Sequence, residues 1–310
     1  MSIYPSSVTV NPLQTPKIKF FKQRDAGDRI TATLDFLRQN RTVWLRMCAW
    51  IIIPFCLVLG WLDTLPRNTV YLFGMTDEVN LLEMLMGFSL RGEPLFSLAM
   101  VMVAAVFLIL YTATGTMMYL YENDARRLDA IPWSEVRAAL GRQWPFGLIM
   151  SITVTSVFYL ISQLGTFWQI VLLLVTLPMA LMAPVGQIWQ KDRVSRAYSS
   201  ETHALHLGFK YWGALLMTTA GLMFIMLFLR GASHTLGEVL VVWLSNLIDK
   251  NGLSPLLMQV IRAFLSALEF WVAFLCLSVL LFGAGYMYGS AEEKESLISL
   301  DDDVRNFENL

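Results

Sequence analysis

The sequence predicts an all-α fold, a polytopic bundle of six membrane-spanning helices, and three observations carry that prediction. Six apolar runs reach about 20 residues, the length that crosses roughly 30 Å of hydrocarbon. Of the 310 residues 56% are hydrophobic and 15% charged, whereas soluble domains are about a quarter charged. A short basic segment bearing aromatic residues also recurs three times, at Asp28–Trp44, Ile131–Trp144 and Ser199–Trp212. Each places a cation and a tryptophan at the mouth of an apolar run, the chemistry of a helix turning from a membrane surface into the bilayer. The expectation therefore includes three pseudo-repeats, each an interfacial helix followed by a helical hairpin.

Residues 1–16 hold Pro5, Pro12 and Pro16 among Ser and Thr and have no periodic apolar face, so they are expected to be disordered. The first 40 residues lack an apolar core, so no secretory signal peptide is expected. The six-span membrane domain is assigned to residues 17–289 and begins with the basic stretch Lys17–Arg24. From Asp28 onward Ile30, Leu34 and Leu37 recur at helical spacing with Phe36 beside them, leaving Arg29, Asp35 and Arg38 for the other face. That pattern predicts a helix lying in the membrane interface. The first two spans fall near Val43–Leu62, kinked by Pro54, and Pro94–Tyr121, separated by a loop from Asp63 to Glu93 with a short helix of its own.

The second entry segment starts at Pro132, suited to a first helical turn, with Glu135 near the positive end of the helix dipole. It leads into spans near Pro145–Gln163 and Phe167–Gln190, tied into a tight hairpin by Leu164-Gly165-Thr166. Pro178 and Pro184 predict a kink in the second of these. The third entry segment pairs Leu205 with Phe209 and precedes the spans near Tyr211–Leu229 and Ala263–Tyr288. Between those two, Leu236–Leu247 is apolar on one face and is predicted to be a separate surface-lying helix. After Gly289, residues 290–310 form an acidic tail that an anionic leaflet repels, so it is expected to extend into the cytosol.

Lysine and arginine set the expected orientation. They crowd the segment before the first span and the segments between spans two and three and between four and five, while the opposite loops are sparse. By the positive-inside rule both termini and the three amphipathic segments face the cytoplasm.

Glu269 is the strongest candidate for a functional group, because a charge deep in a span costs about 2.5–3.5 kcal/mol on insertion scales. Arg262, seven positions earlier on the same helical face, and Arg230, at the end of the fifth span, are its candidate partners. An ion pair that holds helices together competes with a proton- or substrate-linked site. Hydroxyl residues in span two (Thr112, Thr114, Thr116) and span three (Ser151, Thr153, Thr155, Ser156) serve helix packing or line a pathway. Glu201, His203 and His206 lack a spaced third ligand, and Cys48, Cys56 and Cys276 follow no metal or C-x-x-C pattern, so no metal or other cofactor is expected. No nucleotide-binding, metalloprotease or nucleophile-elbow motif occurs, and an enzyme is not expected.

The stretch Gly27-Asp28-Arg29-Ile30-Thr31-Ala32-Thr33-Leu34-Asp35-Phe36-Leu37-Arg38-Gln39-Asn40, followed by Pro54, resembles a broad group of six-helix bacterial membrane proteins. That group is similar to the membrane domain fused to some glycerophosphodiester phosphodiesterases. The catalytic domain of those enzymes has no counterpart here, so the resemblance implies a fold and no catalytic residue. The expected function is a non-catalytic scaffold or accessory subunit of a cell-envelope complex. Its partners would be the bilayer, with Arg38, Arg41, Arg142 and Lys210 meeting anionic lipid headgroups, and a protein at the cytoplasmic face or acidic tail; nucleic acid is not among them. The alternative is a small transporter or lipid-handling protein that uses the bundle interior.

Overall fold

The structure is a computed structural model, and it describes residues 17–64, 94–123, 128–162, 167–168, 171–172, 175, 206–251 and 255–296. The predicted disordered N-terminus, the helix in the Asp63–Glu93 loop, the Leu164-Gly165-Thr166 turn and the Pro178 and Pro184 kinks fall outside the described residues. Six α-helices are described: α1 (Ala26–Gln39), α2 (Arg41–Asp63), α3 (Pro94–Asn123), α4 (Trp133–Ser162), α5 (Trp212–Asn251) and α6 (Pro255–Ser296). No strand occurs among the described residues.

Three stretches are long and apolar enough to cross a membrane, Val101–Glu122, Trp212–Leu240 and Leu256–Glu295. A fourth is added when the bent pair Arg41–Met47 and Ile51–Leu62 is taken as one span. The 49° bend between those halves of α2 lies where Pro54 predicts it. The proline ring removes the amide that would bond the carbonyl four residues earlier and crowds that carbonyl.

The axis of the bundle is α6, against which α1, α2, α3 and α5 all pack, while α4 packs on α3. Helix α2 runs antiparallel to α6. Trp44 Nε1 donates to Ser278 Oγ at 2.8 Å near one end, and Gly60 lies against the backbone of Ala263 and Ala267 near the other. A Cβ on Gly60 would sit 2.6 Å from the Ala267 nitrogen, so only glycine allows this approach. Within lipid, such close contact between small residues supplies the dispersion energy that solvent exclusion cannot. The α3 hydroxyls serve the same end: Thr112 and Thr116 are buried and donate to Leu108 and Thr112 carbonyls of their own helix at 2.8 and 2.7 Å. Ser151 Oγ of α4 donates to the Ala104 carbonyl of α3 at 3.0 Å, bridging the pair.

The helix of the first entry segment packs one face against the bundle. Helix α1 is docked into one end of the bundle, with Arg29, Ala32, Thr33, Phe36 and Leu37 buried. Phe36 is fully enclosed, its ring 4.9 Å from Tyr121 and 5.0 Å from Phe282. Leu34, on the face the apolar spacing selects, is 43% exposed. The buried face keeps Phe36 and Leu37 of the predicted apolar set, with Ile30 half-buried, and adds a charged residue, Arg29, and Thr33, which a reading by hydropathy sends outward. Asp25 caps α1 by accepting the Asp28 amide at 2.8 Å.

The second entry segment is not a helix separate from its span, and only residues 206–212 of the third are described. The second runs on as one helix through Pro145 into its span, as the first half of α4. The third has a helical turn at 206–210 and breaks only at Tyr211 before α5. The predicted separate helix at Leu236–Leu247 is part of α5, which stays unbroken for 40 residues. At about 1.5 Å per residue, α5 and the 42-residue α6 each extend roughly 60 Å, about twice the hydrocarbon thickness. Helix α6 also continues past Gly289, so Ser290, Ala291 and Glu293, assigned to the acidic tail, are helical and buried.

Candidate functional site

Two carboxylate contacts mark the α5–α6 hairpin, Lys210–Glu295 and His234–Glu269, about 25 residues apart along the chain, or roughly 37 Å. At the α1 end, Lys210 Nζ lies 2.7 Å and 2.5 Å from the two carboxylate oxygens of Glu295. The Tyr211 hydroxyl donates to the same carboxylate at 3.2 Å, and Lys294 Nζ sits 5.5 Å from the Tyr211 ring. The hydrogen bond to Glu295 holds the Lys210 ammonium above its ordinary range. Both side chains are open to solvent, so the pair contributes little to stability.

At the other pair, Glu269 Oε2 lies 3.1 Å from His234 Nδ1, with the carboxylate 17% and the imidazole 50% exposed. Arg230, one turn before His234 on α5, is coupled electrostatically to Glu269. Gly237 makes the arrangement possible, since a Cβ there would fall 2.5 Å from Glu269 Oε1. The carboxylate thus lies across the backbone of α5, in contact with the His234 imidazole and within electrostatic range of Arg230. The imidazole gives the carboxylate a hydrogen-bond partner at the helix contact.

Of the residues singled out in the sequence, Glu269 and Arg230 are brought together and Arg262 is not. Arg262 is exposed and has no ion pair among the described residues. The missed member is His234. Its signal was its position one turn after Arg230, which a span ending at Leu229 and a separate helix beginning at Leu236 assigned to a loop. Among the basic candidates, Arg38 and Arg41 are exposed on either side of the break at Asn40, Lys210 is engaged by Glu295, and the Arg142 side chain lies outside the described residues. Glu201 and His203 also lie outside them, and among the described residues no group of three or more His, Cys, Asp or Glu side chains is placed to hold a metal ion.

A second polar assembly closes the α1 end. Residues 17–25 pass beneath the bundle as a strap, with the Lys17 ammonium donating to the Tyr121 carbonyl at 2.8 Å. The Tyr121 hydroxyl accepts the Ile18 amide at 2.9 Å and donates to Gln39 at 3.0 Å. Phe20 is buried against Gly285 and Gly289. Ser290 Oγ accepts the Arg24 amide at 3.0 Å and donates to the Arg24 carbonyl at 3.2 Å. The Arg24 guanidinium folds back on the strap, donating to the carbonyls of Phe20, Lys22 and Lys19, and lies 5.4 Å from the Tyr286 ring. No family model matches this chain, and neither a curated protein nor a solved structure does.

Proposed function

We propose that this chain is a non-catalytic integral membrane protein that organises or assists a cell-envelope complex. In this reading it has six spans in three related units, sits in a bacterial inner membrane, and keeps both termini in the cytoplasm. The observation that carries the reading is the filled interior around α6. From Leu280 to Ala291 every α6 residue is buried, and the rings of Phe20, Phe36, Tyr121, Phe282 and Tyr286 occupy the space where its neighbours converge. A bundle closed in this way works through its surfaces. Two are available: the basic positions Arg38 and Arg41 at the α1 end, and the exposed apolar flank of the α5–α6 hairpin. Affinity purification from native membranes tests it. Recovery of a protein partner in constant ratio supports the assignment, and recovery of the chain alone contradicts it.

The transporter or lipid-handling reading has one observation in its favour, the Arg230–His234–Glu269 cluster at a helix contact. Glu269→Gln separates the two. Loss of function with folded protein retained favours transport, whereas loss of folded protein makes Glu269 a structural tie.

A further inference from the structure

We infer that Arg29 is the anchor of a buried site for a phosphate-type oxyanion, set between α1 and α5 at the α1 end of the bundle. The argument starts from the donors of its side chain. A guanidinium carries five N–H groups and no acceptor and stays charged in proteins. Arg29 is 1% exposed. Its Nη1 donates to the Ala214 carbonyl at 3.0 Å and to Thr218 Oγ1 at 3.2 Å, both on the first turns of α5. Its Nε is buried with no hydrogen-bond partner. Both acceptors are neutral, and no carboxylate among the described residues forms an ion pair with it.

The surroundings sharpen the imbalance. Asp25, the carboxylate coupled to Arg29, is already engaged in capping the Asp28 amide and is solvent-exposed. Arg24, also buried, adds a second positive charge whose donors go to backbone carbonyls. The nearby hydroxyls cannot supply a negative charge: Thr33 donates to the Arg29 carbonyl and Thr218 to the Ala214 carbonyl. A buried cation without an anion is strongly unfavourable, and a phosphate or phosphate ester is the partner a planar guanidinium matches with two parallel hydrogen bonds. The Lys210–Glu295 pair nearby is solvent-exposed, so this end of the bundle opens to water or headgroups. The same chemistry is carried by a lipid headgroup and by free phosphate. This inference is independent of the scaffold reading.

The full chain in nanodiscs of phosphatidylcholine is melted at constant ionic strength, with chloride, with inorganic phosphate, and with part of the lipid replaced by phosphatidic acid. Near-saturating ligand is expected to raise the melting temperature by roughly 5 °C. Stabilisation by inorganic phosphate identifies a free anion; stabilisation by phosphatidic acid alone identifies a headgroup. Arg29→Gln is expected to abolish the response, while Lys22→Gln, at an exposed strap position, retains it. If Arg29→Gln does not fold, Arg29→Lys replaces it and is expected to weaken the midpoint at least tenfold. No stabilisation of the wild type by either source, or an unchanged response in the Arg29 variant, overturns the site.

Discussion

Truncating Phe36 to alanine tests whether α1 belongs to the core or lies on a surface. Phe36 is fully buried, and its ring lies 4.9 Å from Tyr121, 5.0 Å from Phe282 and 6.1 Å from Tyr286. Removing a buried phenylalanine ring costs about 3–5 kcal/mol. Each edge or tilted ring pair adds about 0.5–1.5 kcal/mol beyond burial, so Phe36→Ala belongs at the upper end of that range. Leu34, two residues away, is 43% exposed, and Leu34→Ala should cost about 1 kcal/mol or less. A helix floating in the interface would reverse this order, because Leu34 then belongs to its inserted face. The assay is unfolding in mixed micelles followed by tryptophan fluorescence, with the two variants measured beside the wild type. A Leu34→Ala loss equal to or larger than that of Phe36→Ala would refute the docked placement.

Four further outcomes follow from the structure. Gly60→Ala should destabilise by about 1–3 kcal/mol, since the new methyl meets α6 backbone, which cannot move aside as a side chain can; Gly141→Ala, in a helix with open space around it, should stabilise by about 0.5–1 kcal/mol in the same unfolding assay. Gly237→Ala should push the Glu269 carboxylate off His234, and imidazole nitrogen chemical shifts of His234 should move as they do in Glu269→Gln; unchanged shifts would remove Gly237 from the site. The Lys210–Glu295 contribution is present between the ordinary carboxylate and lysine ranges and is lost as pH rises through the raised value of Lys210. Melting of Lys210→Met should therefore match the wild type at strongly alkaline pH, with only a small deficit at neutral pH.

Helicity and the long apolar elements were legible in the sequence because a run of about 20 apolar residues matches the hydrocarbon thickness of a bilayer. The bend in α2 was legible from Pro54 for an equally local reason. The docking of α1 was not. Its core face keeps Phe36 and Leu37 of the apolar set but adds Thr33 and the charged Arg29, which apolar spacing does not select, and leaves Leu34 exposed. The continuity of α5 was hidden because Arg230, His234 and Glu238 interrupt its hydropathy, whereas the helix needs only their backbone. His234 escaped for the same reason. Its partner lies 35 positions away on α6, and only the antiparallel register that places Gly237 beside Glu269 brings the two together. The strap was half visible, as a basic stretch at Lys17–Arg24. Its role depends on Tyr121 and Ser290, which no local pattern links to it.

Native mass spectrometry of the protein released gently from its own membrane, recording bound proteins and lipids together, tests the central claim most directly. The account predicts a protein partner in fixed stoichiometry. A monomer or homo-oligomer that carries only a defined lipid or small molecule would contradict it and shift the assignment to transport or lipid handling.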